Sequence, residues 1–281
     1  VTQRFAQRFT EIKYQLCEIT LSISVAKQMI MNYETYKLFI YIWMAIGAAT
    51  FLLLLKVTAP YGRHASSKWG PQINNNLGWI LMEAPVMVLL MYYMIAFAEN
   101  QNAVTYTLVA AFMFHYINRT FIFPFRIRTK GKKMPLIIVG SGIFFNLVNG
   151  FSLGYYFAKF AGYSNNYFIQ PQFIAGMLLF ITGIFINWKA DNMLIQLRKP
   201  GETGYKIPAG WLFNYTSCPN LFGEIIEWAG FAIMCWNLPA VSFFIWTLAN
   251  LIPRAISHHK WYKNEFENYP VKRKAIFPFL L

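Results

Sequence analysis

Residues 187–228 read NWKADNMLIQLRKPGETGYKIPAGWLFNYTSCPNLFGEIIEW. The stretch begins inside one apolar segment and ends inside another, joined by a loop that holds Gly, Pro and the cations Arg198, Lys199 and Lys206. Asn187, Asp191, Glu224 and Glu227 sit in or at the edge of the apolar segments. Ionisable groups at membrane depth are expensive and face a partner, a cavity or a ligand. Asn187 and Asp191 are spaced i, i+4 and Glu224 and Glu227 i, i+3, so each pair shares one helix face.

Composition places these helices in a membrane. The chain has 281 residues, 57% hydrophobic, 19% aromatic and 13% charged, whereas a soluble domain carries about 25% charged residues. The net charge of +14 does not point to nucleic acid. A nucleic-acid binder needs a basic face on a water-soluble module, and here the cations punctuate apolar runs. Cys17, Cys218 and Cys235 form no paired framework and no CxxC, so neither disulfides nor structural zinc is expected. The chain opens on Val1 without a leader pattern, and no signal peptide is expected.

Seven apolar segments follow one another at 38–55, 77–98, 103–125, 134–158, 170–188, 221–236 and 238–256, the fifth running on as a helix towards Leu197. About 20 residues cross the hydrocarbon core, so six of them suffice alone and the sixth in order, 221–236, is marginal. It is expected to start near Asn220 as its cap. The links alternate between cation-rich and cation-poor, ending on a tail with Lys260, Lys263, Lys272, Arg273 and Lys274. The positive-inside rule then puts the N-terminus outside and the C-terminus in the cytoplasm, with an odd number of crossings. The fold expected is an all-α integral membrane protein of seven transmembrane helices. Residues 1–36 form an N-terminal extension ahead of a 37–281 membrane domain, whose cofactor half is roughly 187–281. In the extension Phe5, Phe9, Ile12, Leu16, Ile19 and Ile23 recur every three to four residues. That suits an amphipathic helix on the bilayer or on a partner; a dispensable extension is the alternative.

Depth can be counted at about 1.5 Å per residue. Glu83, Tyr116, Asn187, Asp191, Glu224 and Glu227 all fall roughly 6 to 15 Å from the cytoplasmic helix ends, and Arg254 lies in the last turns of the final helix. Scattered structural pairs have no reason to share one depth, whereas a polar cavity open to the cytosol does.

Several chemistries are excluded. His64, His115, His258 and His259 are too few and too scattered for a di-iron site, and no metal is expected. No GxSxG elbow is present, and Gly140, Ser141 and Gly142 read as a small-residue packing site. Neither GxGxxG nor GxxxxGK[ST] occurs, so any nucleotide needs a helix-built site. Arg198, Lys199 and Lys206, with Arg254, His258 and His259, can grip phosphates. Topology alone is the alternative, most of all for Lys272, Arg273 and Lys274. Glu83 and Tyr116 are a second candidate pair. A carboxyl withdrawn from water can stay protonated, and with a phenol it can donate to one carbonyl oxygen, polarising an enone. The alternative is a structural Glu83–Arg119 pair.

Three motifs resemble one family: residues 196–213 (QLRKPGETGYKIPAGWLF), 220–228 (NLFGEIIEW) and 254–279 (RAISHHKWYKNEFENYPVKRKAIFPF). They are similar to the C-terminal part of the steroid 5α-reductases, the 3-oxo-5α-steroid 4-dehydrogenases. Residues 61–64 (YGRH), 79–85 (WILMEAP) and 115–121 (HYINRTF) agree, so the resemblance covers roughly 38–281. It implies NADPH-dependent reduction of a 3-oxo-Δ4-steroid of the testosterone or progesterone type, in the membrane of a bacterium or the endoplasmic reticulum, with the cofactor site facing the cytosol. By resemblance Glu83 and Tyr116 bind the C3 carbonyl, hydride goes to C5 and a solvent-derived proton to C4. The cofactor residues implied are Asn187, Asp191, Arg198, Tyr205, Lys206, Asn220, Glu224, Arg254, His258 and Tyr262. The partners implied are a steroid-like lipid and the bilayer, with no obligate protein partner. The chain departs from the family pattern at Met82, Phe123, Ser141 and Lys206, where Gln, Tyr, Arg and Arg are expected. Other readings are a reductase of another lipid enone or polyprenol, and a small membrane methyltransferase with a similar basic cofactor end. A transporter is disfavoured because the halves show no inverted repeat.

Overall fold

Helix α1 (Tyr33–Lys56) starts where Asn32 Oδ1 accepts the Thr35 N–H at 2.8 Å, which satisfies an otherwise orphaned amide of the first turn. Glu34 and Lys37 pair at 2.8 Å beside it. The computed structural model describes residues 31–99, 102–127, 131–197, 202 and 204–281. The expected extension lies almost wholly outside the described residues, as do Cys17 and Arg198. Residues Ile40–Leu281 form one compact unit, which carries every element after α1.

Beyond α1 come α2 (Asn75–Phe97), α3 (Ala103–Ile117), a π-helical turn (Asn118–Ile122) leading into a short α4 (Phe123–Arg126), α5 (Leu136–Lys159), α6 (Pro171–Gln196), α7 (Pro219–Cys235) and α8 (Leu238–Glu265). Two short strands, β1 (Gln72–Asn74) and β2 (Lys133–Pro135), pair antiparallel with Ile73 opposite Met134. Six helical runs are long and apolar enough to cross a membrane: α1, α2, the run Ala103–Arg126, α5, α6 and α8. The protein is therefore an all-α, multi-pass membrane protein. Helix α7 has only 17 residues.

Two expected boundaries shift. Helix α7 begins with Cys218 at the cap position and Pro219 in the first turn, because a proline already lacks the amide that the first turn leaves unbonded. Asn220 is therefore inside the helix, and its side chain does other work. Helix α8 runs to Glu265, nine residues past the expected end at 256. No Gly or Pro interrupts residues 254–265, and Trp261 and Tyr262 pack on Phe266 at ring distances of 6.0 and 6.1 Å.

Helices α6 and α7 touch backbone to backbone. Gly176 and Gly183 on α6, and Gly223 and Gly230 on α7, stand seven residues apart on each helix and interleave. A methyl group at Gly183 would sit 2.2 Å from the Glu227 nitrogen, and one at Gly223 2.4 Å from the Asn187 nitrogen. Small residues at such crossings let helices approach closely in lipid. Helices α2 and α5 pack similarly, with Gly142 against Met82 and Gly150 against the Val86 carbonyl. Of the expected small-residue site, Gly142 packs in this way, whereas Gly140 has open space around it. Aromatic rings fill the interior: Trp228 lies 5.4 Å from Phe112 and 4.5 Å from Phe243 between ring centres.

The loops gather at two ends. At one end β1 meets β2, Arg254 bonds the Ala59 and Tyr61 carbonyls, and Ser217 N–H donates to the Lys274 carbonyl. At the other end Lys159 pairs with Glu99, and Tyr163 OH donates to the Cys235 carbonyl at 2.7 Å and accepts from Asn237 at 2.9 Å.

Candidate functional site

Helices α2, α3 and α5 each contribute one polar side chain to a single network. Tyr116 on α3 is 4% exposed, and its hydroxyl donates to Asn146 Oδ1 on α5 at 3.3 Å. Asn146 Nδ2 donates to the Met82 carbonyl at 2.6 Å and to Glu83 Oε2 on α2 at 3.4 Å. The bond to a backbone carbonyl fixes the amide, so its oxygen has to face Tyr116. Glu83, Tyr116 and Asn146 line one cavity of about 520 Å³, whose other walls include Trp43, Phe145, Phe243 and Trp246. That size lies in the range of small-molecule sites, roughly 300–1,000 Å³, and the mostly apolar wall suits a lipid-like ligand.

The expected alternative for Glu83, an ion pair with Arg119, is not formed: Glu83 is absent from the ion pairs among the described residues. Arg119 instead lies over the rings of Trp79 and Phe123, 4.8 and 5.0 Å from their centres. It stands in the π-helical turn Asn118–Ile122, a local widening that often marks a functional segment. His115, one residue before Tyr116, bonds Glu227 Oε1 on α7 through Nδ1 at 2.6 Å. Both are buried, at 4% and 0% exposure.

A second cavity of about 300 Å³ adjoins the first. Tyr61, Trp79, Arg119, Glu224 and Arg254 line both. The close crossing of α6 and α7 sets the polar end of the second cavity. Asn220 Nδ2 donates to Asp191 Oδ1 at 2.9 Å, and Asn187 Nδ2 donates to the Asn220 carbonyl at 3.0 Å. Asp191, Tyr205, Lys206, Asn220, Glu224, Arg254, His258 and Tyr262, all expected from the sequence, line it. Asn187 does not; it stands behind Asn220. His259 points elsewhere and bonds Ser217 at 2.6 Å.

Two cations that the sequence did not single out, Arg63 and Lys132, line the second cavity. Arg63 is ringed by Tyr205, Trp261 and Tyr262 at 5.4, 4.9 and 4.4 Å. Its Nη2 donates to Tyr262 OH at 3.2 Å, while its Nη1 is buried without a partner among the described residues. Lys132 bonds Tyr205, and Lys206 pairs with Glu202 at 2.6 Å. Arg254 is already committed: its two terminal nitrogens hold the Ala59 and Tyr61 carbonyls at 2.8 and 2.7 Å, and it lies 3.8 Å from the Tyr61 ring centre. That clamp needs Gly62, which has φ +62 and faces Arg254 Nη2. His64 in the same loop bonds His258 at 3.0 Å. Burial, then the Arg254 and Arg63 charges, push the His64 pKa down to about 4, so the pair is neutral at pH 7.

The two cavities thus pair an acid-lined apolar chamber with a cation-lined one suited to phosphates. No cluster of His, Cys, Asp and Glu able to hold a metal occurs among the described residues. Residues 132–281 match the family model for 3-oxo-5-alpha-steroid 4-dehydrogenase. The chain is 39% identical over 240 residues to steroid 5-alpha-reductase DET2 of Gossypium hirsutum, covering 84% of this chain and 93% of the relative. It is 41% identical over 230 residues to 3-oxo-5-alpha-steroid 4-dehydrogenase 1 of Rattus norvegicus, covering 81% and 88%, and 38% identical over 242 residues to its Homo sapiens counterpart, covering 85% and 93%. With identity of this order along most of both chains, and a membrane bundle built around an acid pair and a basic pocket, the protein belongs to the steroid 5-alpha-reductase family of oxidoreductases.

Proposed function

We propose that this protein reduces the Δ4 double bond of 3-oxo-Δ4-steroids of the testosterone or progesterone type with NADPH, giving 5α-dihydrosteroids. The observation that carries the reading is the shared wall of the two cavities, which sets the Glu83–Asn146–Tyr116 network beside the basic pocket. The basic pocket fits a phosphorylated dinucleotide: Arg63 Nη1 is a buried donor without an acceptor, and Lys132 and Lys206 stand in the same wall. Arg63, Lys132 and Lys206, with Arg198 beyond the described residues, would hold the phosphates. Asp191, Asn220 and Glu224 would take the amide end, and Tyr205, His258 and Tyr262 the remainder. Asn187 and Arg254 would act indirectly, the first through Asn220 and the second by fixing the Tyr61 loop. When bound, the reduced nicotinamide supplies the hydride.

The residues of the chain do the rest. Tyr116 and a protonated Glu83 donate to the C3 carbonyl oxygen and draw electron density from the C5 end of the enone. Their hydrogen bonds strengthen as the oxygen becomes an enolate, so they favour the transition state over the ground state. Trp43, Phe145, Phe243 and Trp246 exclude water around the apolar rings. The membrane arrangement proposed is seven crossings, with the N-terminus outside and the C-terminus and basic pocket in the cytosol. The gathering of the loops at two opposite ends supports it.

The test is direct. Purified, lipid-reconstituted protein given NADPH and testosterone or progesterone should oxidise the nucleotide and release a 5α-dihydro product. Folded protein that oxidises no NADPH with either steroid overturns the reading. Glu83→Gln and Tyr116→Phe should each lower turnover more than about tenfold, with nucleotide binding, followed by tryptophan fluorescence, retained.

A further inference from the structure

Reducing an enone requires a hydride at one alkene carbon and a proton at the other. Glu83 and Tyr116 are engaged at the carbonyl oxygen in the reaction proposed above, on which this inference rests, and the α carbon lies one bond from the carbonyl carbon. The side chain next to Tyr116 on the cavity wall is His115, with its ring centre 5.3 Å from that of Tyr116. Its Nδ1 faces Glu227 at 2.6 Å. Its Nε2, on the other edge of the ring, has no partner among the described residues, and His115 lines the cavity whereas Glu227 does not. The carboxyl therefore stands behind the imidazole as seen from the substrate.

The charge state of the pair follows from its surroundings. Glu227 is 0% exposed, and its Oε2 has no hydrogen-bond partner among the described residues. A carboxylate in that position would leave half of a buried charge uncompensated, which is strongly unfavourable. A carboxylic acid needs one acceptor, and His115 Nδ1 is that acceptor. An imidazole that accepts at Nδ1 carries its hydrogen on Nε2, the edge that opens to the cavity. Trp228, 4.6 Å from His115 between ring centres, holds the ring in this orientation.

We propose that His115 delivers the proton to the α carbon of the substrate and that Glu227 is its proton source. With the hydride on the β carbon, the substrate is an enolate whose oxygen Tyr116 and Glu83 would hold. The enolate electron pair forms the new bond to hydrogen at the α carbon while the His115 Nε2–H bond breaks. In the same movement His115 Nδ1 takes the Glu227 proton, leaving a neutral imidazole of the other tautomer and a carboxylate. Once the product has left, water entering the emptied cavity returns one proton to Nε2, the Nδ1 proton passes back to Glu227, and the pair resets. One hydride and one proton have then been added across the double bond. His115 is the catalytic donor; Glu227 acts through it.

Glu227→Gln tests the relay without disturbing its shape, because the glutamine amide still donates to Nδ1 but cannot give up a proton. Three measurements on the reconstituted full chain decide. First, the infrared spectrum without ligands should contain a carbonyl stretch of a protonated carboxylic acid that Glu227→Gln removes. Second, turnover with NADPH and testosterone should fall at least tenfold in Glu227→Gln, with KM for the steroid within about twofold. Third, the solvent deuterium isotope effect on kcat should rise in Glu227→Gln as proton delivery becomes limiting, a change that a purely structural role would not produce. An infrared band that survives the substitution, or a variant that turns over at the wild-type rate with an unchanged isotope effect, overturns the relay. Should Glu227→Gln not fold, carboxyl-labelled glutamate in the wild-type protein reads the same band, and the absence of any protonated carboxyl beyond that of Glu83 overturns the proposal. A wild-type protein that leaves the steroid untouched sinks the proposed reduction instead, and the band still reports where the proton of the pair resides.

Discussion

Asn146 does at the residue scale what neither acid can do alone. Tyr116 and Glu83 come from different helices, and the Asn146 amide bonds both of them and a backbone carbonyl. Removing it leaves the Tyr116 hydroxyl in a nearly closed wall without its acceptor, a loss that costs about 1–3 kcal/mol for a buried polar group. Asn146→Leu keeps the volume roughly constant and should therefore lower kcat about tenfold or more, with KM changed little, because the two donors lose their common geometry. Steady-state kinetics check this, and wild-type kcat would make Asn146 a packing residue. His64 carries a second expectation at this scale. Its pKa in the folded chain is about 4 against 6.5 free, so the unfolded state binds more protons between those values. Stability then rises with pH across that window and is lost as pH falls through it. The groups facing His64 are His258, Arg63 and Arg254. Melting temperature followed from pH 7 to pH 4 should drop less in His64→Gln than in wild type, since glutamine has no proton to take up.

Elements decide whether these residues meet at all. The α6–α7 crossing places Asp191 beside Asn220 and brings Glu227 to the height of His115, and it depends on glycines at seven-residue spacing. Gly183→Ala would put a methyl carbon 2.2 Å from the Glu227 nitrogen and 2.6 Å from the Gly223 carbonyl oxygen. Those are backbone atoms that cannot rotate away, so the helices must separate. Overpacking of this kind costs about 1–3 kcal/mol. The expected outcome is a lower melting temperature together with weaker nucleotide binding, while Gly140→Ala, in open space, melts like wild type. Equal melting of the two variants would remove the crossing from the account. Much at this scale was legible in the sequence. The apolar runs gave the helices to within a few residues, except at the end of α8, and counting depth along them put Glu83, Tyr116, Asp191 and Glu224 in one layer. Helix-to-helix contacts were less legible, because spacing along a chain says which residues share a face but not which face meets which. Asn146 did leave a signal, as an amide in an otherwise apolar helix, of the kind that membrane depth makes costly. Gly176, Gly183, Gly223 and Gly230 left another in their seven-residue spacing. Arg63 lies in the quoted 61–64 motif with no role attached to it, and Lys132 left nothing beyond its charge: their place in the basic pocket depends on how the loops at one end fold over α8.

For the molecule as a whole, topology turns on the short helix α7. Its 17 residues extend about 25 Å at 1.5 Å per residue, less than the roughly 30 Å of a hydrocarbon core. Lipid thickness matters where a helix faces lipid, and α7 scarcely does. Ile225, Glu227, Trp228, Phe231, Ala232, Met234 and Cys235 are all buried, so protein rather than bilayer meets most of its length. Irregular or short backbone at membrane depth is tolerated under that condition. Its two ends also belong to opposite loop clusters: Ser217 bonds the tail at Lys274, whereas Cys235 is held by Tyr163. A helix that crosses must separate its flanks by the membrane, and one that folds back must not. In a protein whose native cysteines are replaced by serine, Ala209→Cys and Trp236→Cys flank α7 at exposed positions. In sealed, uniformly oriented vesicles, a membrane-impermeant thiol reagent should label Ala209→Cys only from the cytosolic face and Trp236→Cys only from the other. Labelling of both from one face would make α7 a re-entrant segment, leave an even number of crossings, and overturn the seven-crossing arrangement.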